Sequence, residues 1–541
     1  MFYQSSLLLV MWWFLFFVFC LRWTRSKKSP VDRPPAVPGL PVFGNLHQLG
    51  SLPHRSLRAL AEKHGPVMAL RLGRVPTVVV SSPAGAQEVL KTRDLAFANR
   101  PDSSLADRIF YSSQDLAFSK YGEPWRQMRR IGVLHLLNQK QVHSFRKVRE
   151  EEADALVARI RSAAGCPVNL SDMIIDFTSD LICRVALGQT YADSKGGGSQ
   201  LRALFGEFME LMGQFPVRDY IPWLAWVDWL SGLDDRARKI GLEIDALLEK
   251  VIDEHRRSKL TDKIDTNDMD LVDVLLSLGD RNDDDAPSST NISLTMDNIK
   301  GLILVLSLSL SLSLSRSSSF PFHLYLVSTL LQDMVAAGTA STKATLEWAM
   351  AELIRHPEEM AKVQEEIRRV AGPKGEEIRE EALEGMGQLK AVLKETLRLH
   401  PPGPLLLPRE STESTELQGY CIPKGTRVIV NGWAIARDPA LWDKAEEFLP
   451  ERFLGDSGAG ALDFKGSDFR YLPFGGGRRG CPGSGFAIAA VEVVLASLLY
   501  HFDWEMPGGL SAEEMDMDEV FGLIIQKKSS VILQGRTKPH F

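Results

Sequence analysis

The chain has 541 residues, 44% of them hydrophobic and 24% charged, an ordinary globular composition that excludes a disordered, collagen-like or disulfide-scaffold protein. With 63 basic and 69 acidic residues the formal charge is −6, which offers no basic footprint for nucleic acid. The five cysteines (Cys20, Cys166, Cys183, Cys421, Cys481) are too few and scattered for a disulfide framework. No CxxC pair points to structural zinc, and free thiols suit a reducing compartment.

Residues 7–21 read LLLVMWWFLFFVFCL, an unbroken apolar run that nearly reaches the ~20 residues needed to span a bilayer. No small-x-small cleavage site follows it, and the positive charges (Arg22, Arg25, Lys27, Lys28) lie after the run. That order favours an uncleaved anchor over a signal peptide and keeps the bulk of the chain cytosolic. Residues 1–24 therefore read as a membrane anchor and residues 25–41 as a basic, proline-rich linker. Pro30, Pro34, Pro35, Pro38 and Pro41 rule out helix there and make a stiff strap. Residues 42–541 read as one large domain, mainly α with small β-sheets.

Residues 53–64 form an amphipathic helix that closes at Gly65-Pro66, followed by two short strands, 67–72 and 77–81, with 73–76 as the turn. Further helices are predicted over 123–137, 141–164, 171–186, 201–215 and 234–258, a polar surface loop over 281–289, and short strands at 419–421 and 426–431.

One segment breaks the pattern. From 306 to 315 leucine and serine alternate strictly, followed by RSSSFP. A period of two cannot make the buried stripe of a helix, yet residues 297–304 and 333–336 on either side are both helical in pattern. Deleting 305–332 joins Leu304 to Asp333 and gives one helix of about 34 residues over 295–356, stopped by Pro357. Strict Leu-Ser alternation is also what a CT-dinucleotide tract encodes, so we read 305–332 as a translated, unspliced intron; a surface insertion or second membrane segment is the alternative.

Chemistry concentrates near the carboxyl end. Residues 474–483 read FGGGRRGCPG. A cysteine in a glycine-rich loop lets backbone N–H groups point at the sulfur, which together with a metal favours an iron-ligating thiolate. A phosphate cradle is the rival reading, but the Gly-Lys-Ser/Thr ending is missing. An apolar helix follows over 486–500. Residues 394–398, KETLR, place Glu395 and Arg398 at i, i+3 on one face, which alone describes a solvated surface pair as readily as a buried one. Trp125 and Arg129 lie four apart and can reach one anionic group, or simply mark a basic surface helix.

The stretch FGGGRRGCPG matches the haem-thiolate signature FxxGxRxCxG at every fixed position: Phe474, Gly477, Arg479, Cys481 and Gly483. The chain resembles a cytochrome P450 monooxygenase of the plant microsomal kind from its anchor to its carboxyl end, apart from the Leu-Ser insertion. The resemblance implies haem b as cofactor with Cys481 as the axial metal ligand, and Arg479, Trp125, Arg129 and Arg409 toward the haem propionates. It implies a buried cluster of Glu395, Arg398 and Arg452 (in Pro450-Glu451-Arg452-Phe453) that serves folding and haem retention. It also implies electrons from NADPH through a cytochrome P450 reductase, a lipid bilayer as partner, and location in the endoplasmic reticulum membrane as a single-pass protein.

Residues 337–342, AGTAST, occupy the place of the family's Ala/Gly-Gly-x-Asp/Glu-Thr-Thr/Ser on the distal helix. The resemblance makes Gly338, Thr339, Ala340 and Ser341 the oxygen-side residues. Gly338 would loosen the helix, Ser341 keeps the hydroxyl, and Ala340 lacks the acid that helps relay protons. Substrate-contacting segments are expected at 101–120, 204–216, 334–339, 402–407 and 520–523, around a mostly apolar pocket for a small lipophilic or aromatic metabolite. The runs 49–57 (LGSLPHRSL) and 97–101 (FANRP) are similar to grass enzymes that hydroxylate indole and indolinone defence intermediates. Two other classes stay open: a haem-thiolate isomerase or dehydratase that uses no dioxygen, to which Ala340 points, and an inactive pseudoenzyme whose distal helix is split by the insertion.

Overall fold

A computed structural model of the chain describes residues 33–110, 115–163, 165–188, 197–261, 270–273, 322–372, 378–455 and 458–537. The apolar run at 7–21, the loop at 281–289 and the Leu-Ser run at 306–315 lie outside these residues.

Helices dominate because most of the sequence repeats apolar residues at helical spacing. The largest core cluster forms where the helix Leu170–Leu187 lies against the long helix Phe322–Arg355, with Arg146–Ser162, Gly387–Leu399 and Ser484–His501 packed around them. Ser484–His501 is long and apolar enough to cross a bilayer, but it is mostly buried and serves as a core helix. Glycine ends Leu170–Leu187 at Gly188, whose φ of +66° suits a left-handed cap.

The β structure is peripheral. Four strands run in the order Val67–Leu72, Val75–Val80, Arg427–Val430, Arg409–Glu410, with only the central pair parallel. A three-stranded sheet joins Pro167–Asn169, Ile532–Thr537 and Phe502–Glu505. Tyr420–Ile422 pairs with Thr415–Leu417, and Glu519–Val520 with Gln526–Lys527. The proline strap is extended as expected and lies along the first hairpin: Val37 N donates to Ala69 O at 2.9 Å and Ala69 N to Pro35 O at 2.8 Å.

Several boundaries differ from the sequence reading. The helix Pro53–His64 has the expected ends. The hairpin turn is shorter than predicted, because Gly73 takes φ +59° and lets Val75 and Pro76 pair with Leu72 and Arg71. Pro76 is tolerated because Arg427–Val430 pairs only from Thr77 onward, so its missing N–H faces no partner strand. The predicted helix over 123–137 is α-helical over Glu123–Ile131 and widens into a π turn over Gly132–Leu136. The one over 141–164 is two helices, Gln139–Ser144 and Arg146–Ser162, broken where Phe145 leaves helical geometry and buries its ring in the core.

The long helix also contains residues that the deletion argument removes. Residues 322–332 continue directly into Asp333, with Leu330 and Leu331 buried and Gln332 Nε2 donating to Ile109 O at 3.1 Å. This part of the 305–332 segment is apolar in sequence and lacks the Leu-Ser alternation, so it continues the helical pattern of the residues after it.

Candidate haem-thiolate site

The cysteine loop is built by backbone geometry. Gly477 takes φ +67°, and a Cβ there would lie 1.8 Å from Leu90 O, so only glycine fits. Cys481 N donates to Phe474 O at 3.0 Å and Gly480 N to Gly477 O at 3.0 Å, which closes the loop, while the Phe474 ring meets Phe464 edge-on at 6.0 Å. Cys481 is open on one side yet set deep among protein atoms. Burial pushes its thiol pKa up, and the N–H of Gly483, the charge of Arg129 and the N–H of Ser484 oppose that. Gly483 and Ser484 lie at the start of Ser484–His501 and Arg129 on Glu123–Ile131, and together these groups would favour a thiolate once a cation ligates it.

A group of guanidiniums surrounds this loop. Arg129 Nη2 donates to Gly480 O at 2.7 Å. Arg479 donates from Nε to Ala98 O at 2.9 Å and from Nη2 to Ser119 O at 2.7 Å, with its guanidinium 4.1 Å from the centre of the Trp125 ring. Trp125 spends its Nε1 on Leu116 O at 3.1 Å. Arg409 Nη2 donates to Gly476 O at 3.1 Å, but its buried Nη1 has no partner.

Sequence reading passed over Arg100, although it noted the FANRP run. Arg100 is buried and donates from Nε to Ala117 O at 2.8 Å and from Nη1 to Leu407 O at 2.6 Å and Pro408 O at 2.8 Å. A charged residue just after the apolar Leu95-Ala96-Phe97-Ala98 and just before a proline was the available signal. Burial and the neighbouring Arg409 and Arg479 hold the pKa of Arg100 well below the usual guanidinium value. Burial likewise lowers Arg409 to about 10, and burial together with Arg409 lowers Arg479 to about 9. Guanidiniums stay protonated in proteins, so these depressions measure positive charge buried without enough negative charge. Asp115 is the buried carboxyl facing them, and burial raises its own pKa to about 6.

The residues fit haem. A cluster of buried cations with an unpartnered Nη1 suits a dianionic edge, and the backbone donors at Cys481 suit a ligating sulfur. At Gly483 a Cβ would meet no protein atom within 4 Å, which leaves a flat face room to approach.

Behind the loop lies the Glu395 cluster. Arg398 donates from Nε to Glu395 Oε2 at 2.7 Å and from Nη2 to Oε1 at 2.8 Å, and Arg452 Nε reaches Oε1 at 3.0 Å. Arg398 Nη1 also takes Ala436 O and Ala445 O, both at 2.7 Å. Glu395 and Arg398 have no exposed side-chain surface, so this pair is structural and not a solvated surface pair.

On the long helix, Ser341 Oγ donates to Ala337 O at 2.7 Å and Thr339 Oγ1 to Val335 O at 3.0 Å. Ala340 is buried. The helix runs unbroken through Gly338, where a Cβ would lie 2.7 Å from Ile182 Cδ1. The absent side chain at 338 thus lets Phe322–Arg355 approach Leu170–Leu187 closely.

Three of the five expected substrate-contacting segments, 101–120, 204–216 and 520–523, touch through aromatic rings, and residues in or flanking the other segments add hydrogen bonds. Phe110 packs edge-on to Phe208 at 5.5 Å, and Phe215 stacks on Phe521 at 6.0 Å. Leu116 N donates to Asp333 Oδ2 at 2.7 Å, and Ile525 N to Pro402 O at 2.9 Å. Leu116, Ala117, Phe118, Met334 and Gly338 are half-buried, and Ala337 is exposed.

Comparison with known proteins agrees with this geometry. The family model described as cytochrome P450 matches residues 34–306 and 313–533. The chain is 47% identical to cytochrome P450 71A1 of Persea americana, over 90% of this chain and 89% of that one. It is 42% identical to cytochrome P450 736A117 of Prunus mume (97% and 95%) and 41% identical to norfluorocurarine oxidase of a Strychnos species (96% and 96%). A zebrafish cytochrome P450 solved with abiraterone superposes with a TM-score of 0.70 at 25% identity, covering 91% of this chain and 100% of that one. The cysteine loop, the cation cluster behind it and these matches along nearly the whole length lead to one conclusion: the chain belongs to the cytochrome P450 family, the haem b monooxygenases that draw electrons from NADPH through a reductase.

Proposed function

We propose that Cys481 ligates haem iron, with Arg100, Arg129, Arg409 and Arg479 around the propionates, and that the enzyme inserts one oxygen atom from dioxygen into a small lipophilic or aromatic plant metabolite. Bound there, the haem supplies oxygen activation. The protein supplies the glycine-rich loop that presents the sulfur and cations for the propionates. The observation that carries this reading is the glycine-built loop around Cys481 with buried guanidiniums donating to it, Arg129 Nη2 to Gly480 O at 2.7 Å and Arg409 Nη2 to Gly476 O at 3.1 Å, while Arg409 Nη1 is left without a partner. The ring contacts Phe110–Phe208 and Phe215–Phe521, which join the expected substrate-contacting segments, support an aromatic or lipophilic substrate. The runs at 49–57 and 97–101 support an indole-derived one as the finer class.

The membrane reading rests on the apolar run at 7–21. It is supported by Trp223, Trp226, Trp229 and Leu230, all more than half exposed. Their segment is tied to the hairpin that also holds the strap: Arg74 N donates to Tyr220 O at 2.9 Å and Gly73 N to Phe43 O at 3.1 Å. Aromatic side chains of this kind favour a membrane interface, here the cytosolic face of the endoplasmic reticulum.

The carbon monoxide difference spectrum of the full chain tests the assignment. The thiolate band should be present in the native protein and absent in Cys481→Ala; its survival in that variant ends the reading. Ala340 favours a second reading, an isomerase or dehydratase that uses no dioxygen. Substrate-stimulated NADPH consumption with reductase separates the two, being expected only of the monooxygenase.

A further inference from the structure

The loop 115–119 is held from two sides. On its amide side, Asp333 of the long helix accepts from Leu116 N at 2.7 Å, and Asp115 accepts from Phe118 N at 2.5 Å. On its carbonyl side the donors are Trp125 and two of the guanidiniums assigned above to the haem edge. Trp125 Nε1 (3.1 Å) and Arg479 Nη1 (3.4 Å) share Leu116 O, Arg100 Nε takes Ala117 O at 2.8 Å, and Arg479 Nη2 takes Ser119 O at 2.7 Å. The loop is therefore a bridge with the distal helix at one side and the propionate cations at the other.

We propose that Asp333 is a positioning residue that, through the 115–119 loop, fixes Arg100, Arg479 and Trp125 for haem and sets the distal wall of the substrate recess. This rests on reading Cys481 as the haem ligand.

Three observations support it. Asp333, Ala337 and Ser341 follow at i, i+4 and i+8, one stripe of the helix, so the carboxyl shares the face of the oxygen-side hydroxyl. The guanidiniums of Arg100 and Arg479 are buried, so their direction is set by the carbonyls they meet, and those carbonyls move with the loop. Burial and the nearby Asp115 raise the pKa of Asp333 well above the usual carboxylate range. A neutral acid still accepts from Leu116 N, so the tether does not require a charge at position 333.

The distinction between acceptor and charge gives the test. Asp333→Asn keeps an oxygen for Leu116 N, whereas Asp333→Ala removes it. In the full-length protein in lipid nanodiscs, Asp333→Ala should speed amide hydrogen exchange in the 115–120 peptide by about tenfold, as expected for loss of one buried hydrogen bond. It should also speed haem release several-fold and weaken substrate binding read from the Soret shift. Asp333→Asn should restore all three. Unchanged exchange in Asp333→Ala, or no rescue by Asn, overturns the proposal. If Asp333→Ala does not fold, the native protein decides: an amide at Leu116 exchanging as fast as an exposed loop excludes the tether. Cys481→Ala reports separately on the haem reading, since exchange at 115–120 is measured without any haem signal.

Discussion

The guanidinium of Arg479 rests 4.1 Å from the centre of the Trp125 ring while Arg479 and Trp125 both donate to Leu116 O, at 3.4 and 3.1 Å. One residue precedes Cys481 by two positions and the other lies in the first turn of a helix some 350 residues earlier, yet they share a carbonyl and a stacking contact. The haem edge is thus assembled from distant parts of the chain around one loop.

Arg409 shows what that assembly costs before haem binds. Its Nη1 is buried without a partner, and burial lowers its pKa to about 10. Arg409→Met should stabilise the haem-free chain by about 1 kcal/mol, because an uncompensated buried charge is removed. It should also weaken haem retention by about tenfold, the effect of one lost charge-assisted hydrogen bond. Urea unfolding of the haem-free protein and haem transfer to an acceptor globin give the two readings, which should move in opposite directions.

Glu395 accepts from Arg398, Arg452 and Leu449 N, so three donors lose their acceptor if it goes. Glu395→Ala should cost about 3–5 kcal/mol, the penalty for stranding buried charge, and leave little folded protein. Arg452→Ala should cost less, because that side chain is partly exposed and Arg398 still neutralises Glu395. Soluble yield and unfolding midpoints of the two variants check this ranking.

Two glycines of the cysteine loop should behave differently. Gly477→Ala places a Cβ 1.8 Å from Leu90 O at φ +67°, so the loop cannot keep its shape, and the folded state should lose more than about 3 kcal/mol. Gly483→Ala meets no protein atom and has φ −91°, so the haem-free chain should fold normally. Haem incorporation should nonetheless fall, since the added methyl occupies the space left for the porphyrin face. Equal stability loss in both variants would contradict this.

Away from the site, His255 Nε2 meets Asp270 Oδ2 at 2.7 Å. Burial works to lower the histidine pKa, but the hydrogen bond and charge of Asp270 outweigh it and raise it to about 9. A folded-state value above the unfolded 6.5 means that the protonated pair's stabilisation is complete below pH 6.5 and lost as pH rises through 9. The loss should be no more than about 3 kcal/mol. His255→Gln should flatten the unfolding midpoint over this window; a slope like that of the native protein would mean other groups are responsible.

Ala340 is buried one position before Ser341. Ala340→Asp should raise the share of NADPH electrons that end in product, since it returns a proton-carrying group to the distal helix. Product formed per NADPH, with peroxide measured alongside, is the readout; an unchanged ratio means the proton comes by another route.

The local features were legible because they depend on short-range chemistry. The spacing of FGGGRRGCPG singled out Cys481 and its loop, the glycine and proline signals fixed the ends of Pro53–His64, and KETLR marked the buried ion pair once PERF supplied its partner. Where elements break was less legible: Phe145 divides a helical pattern because its ring is needed in the core, and Pro76 joins a strand because its neighbour on that side starts only at Thr77. Periodicity reports which residues can share a face, and it contains nothing about which neighbour a face will meet.

The sequence by itself determined the class of protein, the glycine-rich loop that carries Cys481 and the lack of an acid at position 340, since each is a matter of residue type at fixed short spacing. Only the tertiary structure decided that Arg100 joins the cation cluster, that Gly338 serves helix packing against Ile182, and that Asp333 reaches across to the 115–119 loop. Those three depend on contacts between residues far apart in the chain. Burial and charge balance are properties of the folded interior, where desolvation makes each unpartnered group costly and therefore dictates its company.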